Sequence, residues 1–439
     1  MLKRLMFIVA LSSVGGTGVR APVARPGMVT LAPTADLQAA VDSTSVGATL
    51  RLGPGIYRVP DGGLVLSRPI MIEGETVHAD DFTGGTVLKP FADDAAGQPI
   101  IVLRGGPSST PTSYRLHDLT LEGGCRGHRD RSYGITLVQD TLTRTVQLEF
   151  YRVQAHGCGD DGFHLQGHDG GAGAIVQLVM NECLSSYNWG DGLYLSYASV
   201  ARVENSGFSL NLHRGACVVG SGIGFENTFF ESNGRARRED INKDAQLYGT
   251  GCHPFTVDQC HFENFDGATR NGWTYFSRKG ISLWFCSGVI IGGCIFANGR
   301  GDTEPRPVVF DRANQAISLN LTRDSMILPN YLTGCFIGVH GGTEEETVDG
   351  RVVTVASRNT VFNQSYPPEW GVIQPFDDCG GLTLPYNAGP DLSANTTPDT
   401  LHSNAEGTIM WDRFRKVPIL WNGRSWVKVL TDTVTLVRP

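Results

Sequence analysis

The centre of the chain repeats itself, and this limits the possible folds more than any other feature of the sequence. A small residue followed by an alternating apolar strand recurs in "YGITLV" at Tyr133, "DGFHLQ" at Asp161, "DGLYLS" at Asp191, "RGACVV" at Arg214, "DAQLYG" at Asp244, "KGISLW" at Lys279 and "QAISLN" at Gln315. Taking the second residue of each as a mark gives Gly134, Gly162, Gly192, Gly215, Ala245, Gly280 and Ala316, at intervals of 28, 30, 23, 30, 35 and 36. Alternation with period two is the signature of strands.

A second strand falls between successive marks, in "RVQAHGCG", "NECLSSYN", "NSGFSLNL", "NTFFESNG", "DQCHFENF", "GGCIFANG" and "TGCFIGVH". One short residue holds the same place in six of these: Cys183, Ser206, Thr228, Cys260, Cys294 and Cys335. Such a column points into a narrow core, where thiols act as small hydrophobes. Hydroxyls in the same slots argue for packing and against a disulfide framework, and no CxxC pair suggests a zinc ribbon. Strand-rich repeats of this length with Gly/Asn turns predict a parallel β-solenoid. The leucine-rich frame is absent, and WD and kelch blades fail on period and signature. Unequal intervals mark insertions, such as "ESNGRARREDINKDAQ" and "DGATRNGWTYFSRKG".

Composition agrees. The 439 residues include 55 glycines and only 18% charged side chains, which suits stacked short strands with many turns better than helices with charged solvent faces. A net charge of −8 without a long basic run argues against nucleic acid as a partner. No stretch approaches the ~18 apolar residues of a transmembrane helix.

The start of the repeat region reads as a cap. In "PTADLQAAVDSTSVGATLRLGPGIYRV", Thr34 is the expected helix N-cap, Asp36 sits in the first turn, and Leu37, Ala40 and Val41 form an apolar stripe. The helix "LQAAVDS", then "GATLRLGPGIYRV", then "GLVLSRPIMIEGE" resembles the start of the pectate-lyase-type right-handed β-helix, and the likeness runs from about Asp36 to Phe376. That resemblance implies an all-β, single-stranded, right-handed parallel β-helix with an N-terminal capping helix. The fold hosts lyases, hydrolases, epimerases and non-enzymatic virion proteins, so activity does not follow from it.

The ends differ from the middle. The sequence "MLKRLMFIVALSSVGGTGVRA" resembles a secretory signal with a poor cleavage site at Val19-Arg20-Ala21 before Pro22, and equally fits a retained apolar arm that docks on a partner. A Pro/Asn/Thr-rich linker, "PYNAGPDLSANTTPDT", precedes "EGTIMWDRFRKVPILWNGRSWVKVL", which reads as three strands with an Asn-Gly turn. This last stretch is similar to a small element near the ends of phage tail-fibre and tailspike proteins. Trp411, Trp421 and Trp426 serve there either as the core of a small β unit or as a carbohydrate platform. The expected layout is an N-terminal arm over 1–33, a β-helix over 34–380, a linker over 381–404 and a small β domain over 405–439.

The stretch "HGCGDDGFHLQG" concentrates chemistry. Counting nine residues back from Gly162 gives Val153, and nine back from Gly192 gives Cys183, so Asp161 and Asp191 should be equivalent residues in successive coils. Two readings follow. Asp before glycine can hold a turn through a backbone N–H. Stacking also brings Asp160, Asp161 and Asp191 together, and like charges at close range separate their acidities into an acid and a base. Glycoside hydrolysis needs such a pair, at ~5.5 Å for retention and up to ~9.5 Å for inversion. The polygalacturonase-like hydrolases of this fold carry an Asp-Asp pair in a comparable turn. Their His-Gly and Arg-x-Lys motifs are absent in the usual form, and "NLHRGACV" offers His213 and Arg214 at the next coil. His164 and Tyr194, two residues after their glycines, should share a face with the aspartates and contact a sugar. With Trp189, His213 and Arg214 they make up the expected substrate-binding set, and Asp160, Asp161 and Asp191 the expected catalytic set. A lyase would instead draw its cation from Arg214, Lys243, Arg278 or Lys279, with Glu182 and Glu263 as further carboxylates. No metal motif and no cofactor are expected.

Three functions compete. The first is a phage tailspike or tail fibre in the virion, which binds host surface polysaccharide, with or without depolymerising it. It would attach to other tail proteins through the arm and, by resemblance, assemble as a homotrimer. The second is a secreted bacterial polysaccharide lyase or hydrolase. The third is a non-enzymatic structural virion protein.

Overall fold

The computed structural model describes residues 28–377 apart from several segments, the longest being 235–244, 300–314 and 362–373, together with three strands between 409 and 428. The chain coils as a right-handed parallel β-helix. Its strands form an 11-stranded sheet and a 20-stranded sheet. The larger one bends into two columns, so each coil supplies a strand to a first, a second and a third sheet. Successive coils contribute Ile175–Asn181, Ala198–Glu204, Ile223–Glu226 and Phe255–Asp258 to the first sheet. The second receives Leu184–Ser186, Gly207–Ser209, Phe229–Glu231 and His261–Phe265. The third receives Phe163–Gln166, Leu193–Ser196, Ala216–Val219 and Ala245–Thr250.

The turn from first to second sheet passes through one left-handed residue per coil: Asp118, Arg152, Glu182, Asn205, Asn227 and Gln259, with φ from 47° to 57°. Asn and Asp tolerate this conformation better than other non-glycine residues. At Asn205 and Asn227 the side-chain amide also donates to the preceding coil, Asn205 to Asn181 Oδ1 at 2.9 Å and Asn227 to Asn205 Oδ1 at 2.7 Å.

The expected inward column is present. Val153, Cys183, Ser206, Thr228, Cys260 and Cys294 all face the core and are buried. The thiols of Cys183, Cys260 and Cys294 are free. Cys335 does not continue the column. Ile295 pairs with Tyr331, so Asn330 takes the slot, where its Oδ1 accepts the Cys294 N–H at 2.9 Å and its amide donates to the Leu328 carbonyl at 2.7 Å. The strand Ile337–Gly341 inside "TGCFIGVH" belongs to the third sheet, where it pairs with Gln315–Asn320. Cys335 itself lies outside the described residues. One mark also moves: Ala216 pairs with Leu247, so the equivalent of Gly215 is Gln246, one residue after the expected Ala245.

Along the second sheet, Phe208, Phe230, Phe262 and Phe296 stack inside the core with centroids 5.3, 4.9 and 4.7 Å apart. In-register parallel strands place identical rings one above another, and each pair adds about 0.5–1.5 kcal/mol beyond its burial.

The helix Leu37–Ser43 covers the first coils with Leu37 and Val41 buried. Its N-cap is Asp36, which accepts the Ala39 N–H at 3.0 Å, and Thr34 lies outside the helix. Asp36 wins because it stands three residues before the N–H that needs an acceptor. The solenoid begins inside the segment assigned to the arm, since Met28–Leu31 pairs in parallel with Thr49–Leu52. At the other end, Ile409–Asp412, Val417–Trp421 and Trp426–Lys428 form an antiparallel three-stranded sheet with Trp421 opposite Trp426. The linker over 381–404 lies outside the described residues. Among the described residues no helix is long and apolar enough to cross a membrane.

Candidate active site on the third sheet

A buried amide ladder leads into the site. The N–H of Cys158 donates to Asn188 Oδ1, that of Asn188 to Asn211 Oδ1, and that of Asn211 to Asn233 Oδ1, at 2.9, 3.2 and 3.1 Å. These residues end the turn from second to third sheet and fix the backbone just before Asp161, Asp191 and Arg214. Glycine is required beside them. A Cβ on Gly190 would fall 2.1 Å from Asp161 Oδ1 and 2.5 Å from Asp160 Oδ1.

Asp161 and Asp191 are equivalent in successive coils, since Phe163 pairs with Leu193. Asp161 Oδ1 accepts the backbone N–H of Asp191 at 2.7 Å, and Asp191 Oδ1 accepts that of Arg214 at 2.9 Å. One oxygen of each therefore holds the next turn, as the structural reading requires. The second oxygen meets a side chain. Asp161 Oδ2 lies 2.7 Å from His164 Nδ1, and Asp191 Oδ2 lies 3.6 Å from Arg214 Nη1. His213 Nδ1 stands 3.5 Å from Asp191 Oδ1.

The two carboxyls are pushed in opposite directions. Burial raises Asp161 to about 6, assisted by Asp191 and Asp160 and opposed by the His164 hydrogen bond. Burial also presses upward on Asp191, but Arg214 and His213 outweigh it and hold the carboxyl below its ordinary value. Asp160 is buried beside them, its N–H bonded to Ser132 O at 3.0 Å and its carbonyl accepting Gly190 N–H at 2.9 Å.

Above the carboxylates the outer face of the third sheet is aromatic. Tyr133, His164 and Tyr194 stack with centroids 4.4 and 4.8 Å apart. Arg214 lies over Tyr248 at 4.6 Å and donates to Cys217 Sγ at 3.1 Å. Cys217 pairs with both Tyr194 and Tyr248, so these residues form one row. The Cys217 thiol is buried and pushed up to about 12, which leaves it unreactive. Trp189, half-buried, sits in the turn before Asp191, with its N–H on Cys158 O at 3.0 Å.

The structure thus gathers Asp160, Asp161, Asp191, His164, Tyr194, His213, Arg214 and Trp189 at one edge of the third sheet. Of the alternative cations, Lys279 joins Arg214 in the column of strand starts, two coils on through Ala245. Lys243 and Arg278 lie outside the described residues. Glu182 and Glu263 belong to other parts of the coil, at the first turn and on the second sheet. Tyr133 and Tyr248 complete the row without having been singled out in the sequence. Tyr133 occupies the place of Asp161 one coil earlier. Tyr248 occupies the place of Tyr194, hidden by the one-residue shift of the mark to Gln246.

No family model and no curated protein sequence matches the chain significantly. Among solved structures, the enzymatically active domain of bacteriophage CBA120 tailspike protein 2 is similar at 12% identity with a TM-score of 0.54, over 79% of this chain and 48% of that one. The chain thus spans about half the length of that domain. The A-module of an Azotobacter vinelandii mannuronan C-5 epimerase aligns at 17% identity with a TM-score of 0.43, over 81% of this chain and 92% of the module. A pectate lyase aligns at 12% identity with a TM-score of 0.40, over 70% of this chain and 76% of the lyase. The likeness at these identities is one of fold: the chain shares the pectate-lyase-type parallel β-helix, in the form that a phage tailspike also carries.

Proposed function

We propose that the chain is a phage tailspike-type appendage that binds a host surface polysaccharide across the third sheet and hydrolyses it there. One observation carries the reading: two stacked, buried carboxyls with acidities driven apart lie beneath a three-ring platform. Asp161 is the proton-bearing partner and acts as general acid. Asp191, kept ionised by Arg214 and His213, is the nucleophile. Their backbones stand one rung apart, about 4.8 Å in a parallel sheet, which suits the short carboxyl separation of enzymes that retain anomeric configuration better than the longer one of enzymes that invert it. Tyr133, His164 and Tyr194 offer ring faces to the sugar, and Trp189, His213 and Arg214 border the same edge. In this reading the residues ahead of the first strand, Met28–Leu31, form an arm that joins other tail proteins, the β-helix runs from that strand to about residue 380, and residues 405–439 form a separate small domain beyond a linker. The assembly is a homotrimer in the virion tail.

The test is incubation with host surface polysaccharides, following reducing ends and the ultraviolet absorbance of unsaturated uronates. Reducing ends without absorbance, lost in Asp191→Asn, support hydrolysis. A second reading is favoured by Lys279 standing in the column of Asp191 and Arg214: a lyase that uses these cations to stabilise an enolate. Absorbance would select it. No product from folded protein would leave the aspartates as turn-holding groups.

A further inference from the structure

The first sheet carries a concavity of about 320 Å³ on a different sheet from the carboxylates. Its origin is local. On the strand Ile223–Glu226, Ile223 and Phe225 face the core, so Gly224 and Glu226 face outward, with Gly222 just before the strand. Gly224 stands in register between Arg202 and Thr256. A Cβ there would meet Thr256 Oγ1 at 2.8 Å, and one on Gly222 would meet the Ser199 carbonyl at 2.7 Å. Two missing side chains on one rung thus leave a trough between Val200 and Arg202 on one side and Pro254 and Thr256 on the other.

The lining is chemically mixed. Val200 is 61% exposed on a regular strand, which gives an open aliphatic contact. Arg202 is paired with Glu204 and reaches Glu226 at 3.2 Å, so its guanidinium is held in place as a donor. Glu226 and Asp258 add carboxylate acceptors, and Thr256 a hydroxyl. An apolar floor with a few fixed polar groups, built on sheet rather than loop, binds small ligands with little ordering cost. Paired acceptors suit vicinal hydroxyls, and the aliphatic contacts suit the C–H face of a ring. Two carboxylates line the trough against one guanidinium that is already paired, so an anionic ligand is repelled.

We propose that this concavity is a second saccharide site, selective for a neutral pyranose ring. It stands apart from the cleavage reading, because nothing in it depends on Asp161 or Asp191. Gly224 has an ordinary strand conformation and faces outward, so Gly224→Leu fills the trough without entering the core. The measurement is saturation-transfer NMR on the full chain carrying Asp191→Asn, His164→Ala and Tyr194→Leu, which together remove cleavage and the ring platform of the third sheet, with the methyl glycosides of glucose, galactose and mannose, and with glucuronate as the anionic comparison. Transfer to at least one neutral glycoside, falling at least fivefold on adding Gly224→Leu, with glucuronate silent, is the expected result. Thr256→Leu narrows the same trough from the neighbouring rung and must give the same loss. Absence of transfer to every neutral glycoside, transfer that survives both substitutions, or stronger transfer to glucuronate overturns the proposal. Reducing-end release by the chain with native Asp191 is unchanged by Gly224→Leu, so failure of either reading leaves the other standing.

Discussion

Asp161 Oδ1 accepts the backbone N–H of Asp191 at 2.7 Å, and Asp191 Oδ1 accepts that of Arg214 at 2.9 Å. The same carboxylates that carry the proposed chemistry also tie three coils together. Substitution by alanine and by asparagine therefore separates the two roles. Asp161→Ala leaves a buried N–H without an acceptor, a loss of about 1–3 kcal/mol. Asp161→Asn keeps a carbonyl oxygen for that N–H but is a poor proton donor. Thermal unfolding is expected to drop by several degrees for alanine and little for asparagine, with polysaccharide cleavage abolished in both. Retained cleavage by Asp161→Asn would remove Asp161 from the acid role.

The acidity of Asp161 sets a pH dependence of stability. Its folded-state value of about 6 lies above the ordinary 3.8, so between these values the folded chain keeps a proton that the unfolded chain has lost. Stability falls as pH rises from about 4 to about 6, by roughly 2–3 kcal/mol, and is level beyond. Asp191 has the opposite sign, and its contribution is lost only as pH falls below the ordinary carboxylate range. Denaturant midpoints of the wild type should decline across pH 4–6, and Asp161→Asn should flatten that decline.

The pH profile of cleavage tests the pairing of Asp161 with His164. The His164 hydrogen bond pulls the acidity of Asp161 down from where burial alone would put it. His164→Phe keeps a ring between Tyr133 and Tyr194 but removes Nδ1. The alkaline limb of kcat/KM, near pH 6 in the wild type, should then move upward. An unmoved limb would mean that another group governs it.

Much of this arrangement was legible in the sequence. The equivalence of Asp161 with Asp191, and of His164 with Tyr194, followed from counting, because a parallel solenoid converts a repeat interval into a vertical contact. Counting failed where coils carry insertions. The segment before Ala245 shifted the mark by one residue and hid Tyr248. The segment before Cys335 made a third-sheet strand look like a second-sheet one, while Asn330 took the inward slot. The helix cap moved from Thr34 to Asp36, since both residue types suit the position and only geometry chooses. The concavity at Gly224 had no sequence signal, because a glycine in a strand marks absent volume only once its neighbours on both rungs are known.

The phenylalanine column gives a prediction about the scaffold alone. Phe230 stacks on Phe208 at 5.3 Å and on Phe262 at 4.9 Å, and also meets Phe225 edge-on at 5.6 Å. It is fully buried, and a Cβ on Gly215 would come within 2.6 Å of its ring, so the ring is fixed against the turn that presents Arg214. Phe230→Ala should destabilise by about 3–5 kcal/mol through lost transfer energy and the cavity left behind. Phe230→Leu should cost less, because it refills part of that volume while losing both stacks. The cavity also loosens the turn at Gly215, so Phe230→Leu should lower cleavage through kcat more than through KM. Tyr194→Leu on the outer face should do the reverse, raising KM with little change in melting temperature. If both variants moved melting temperature and KM alike, the inner stack and the outer platform would not be separate structures.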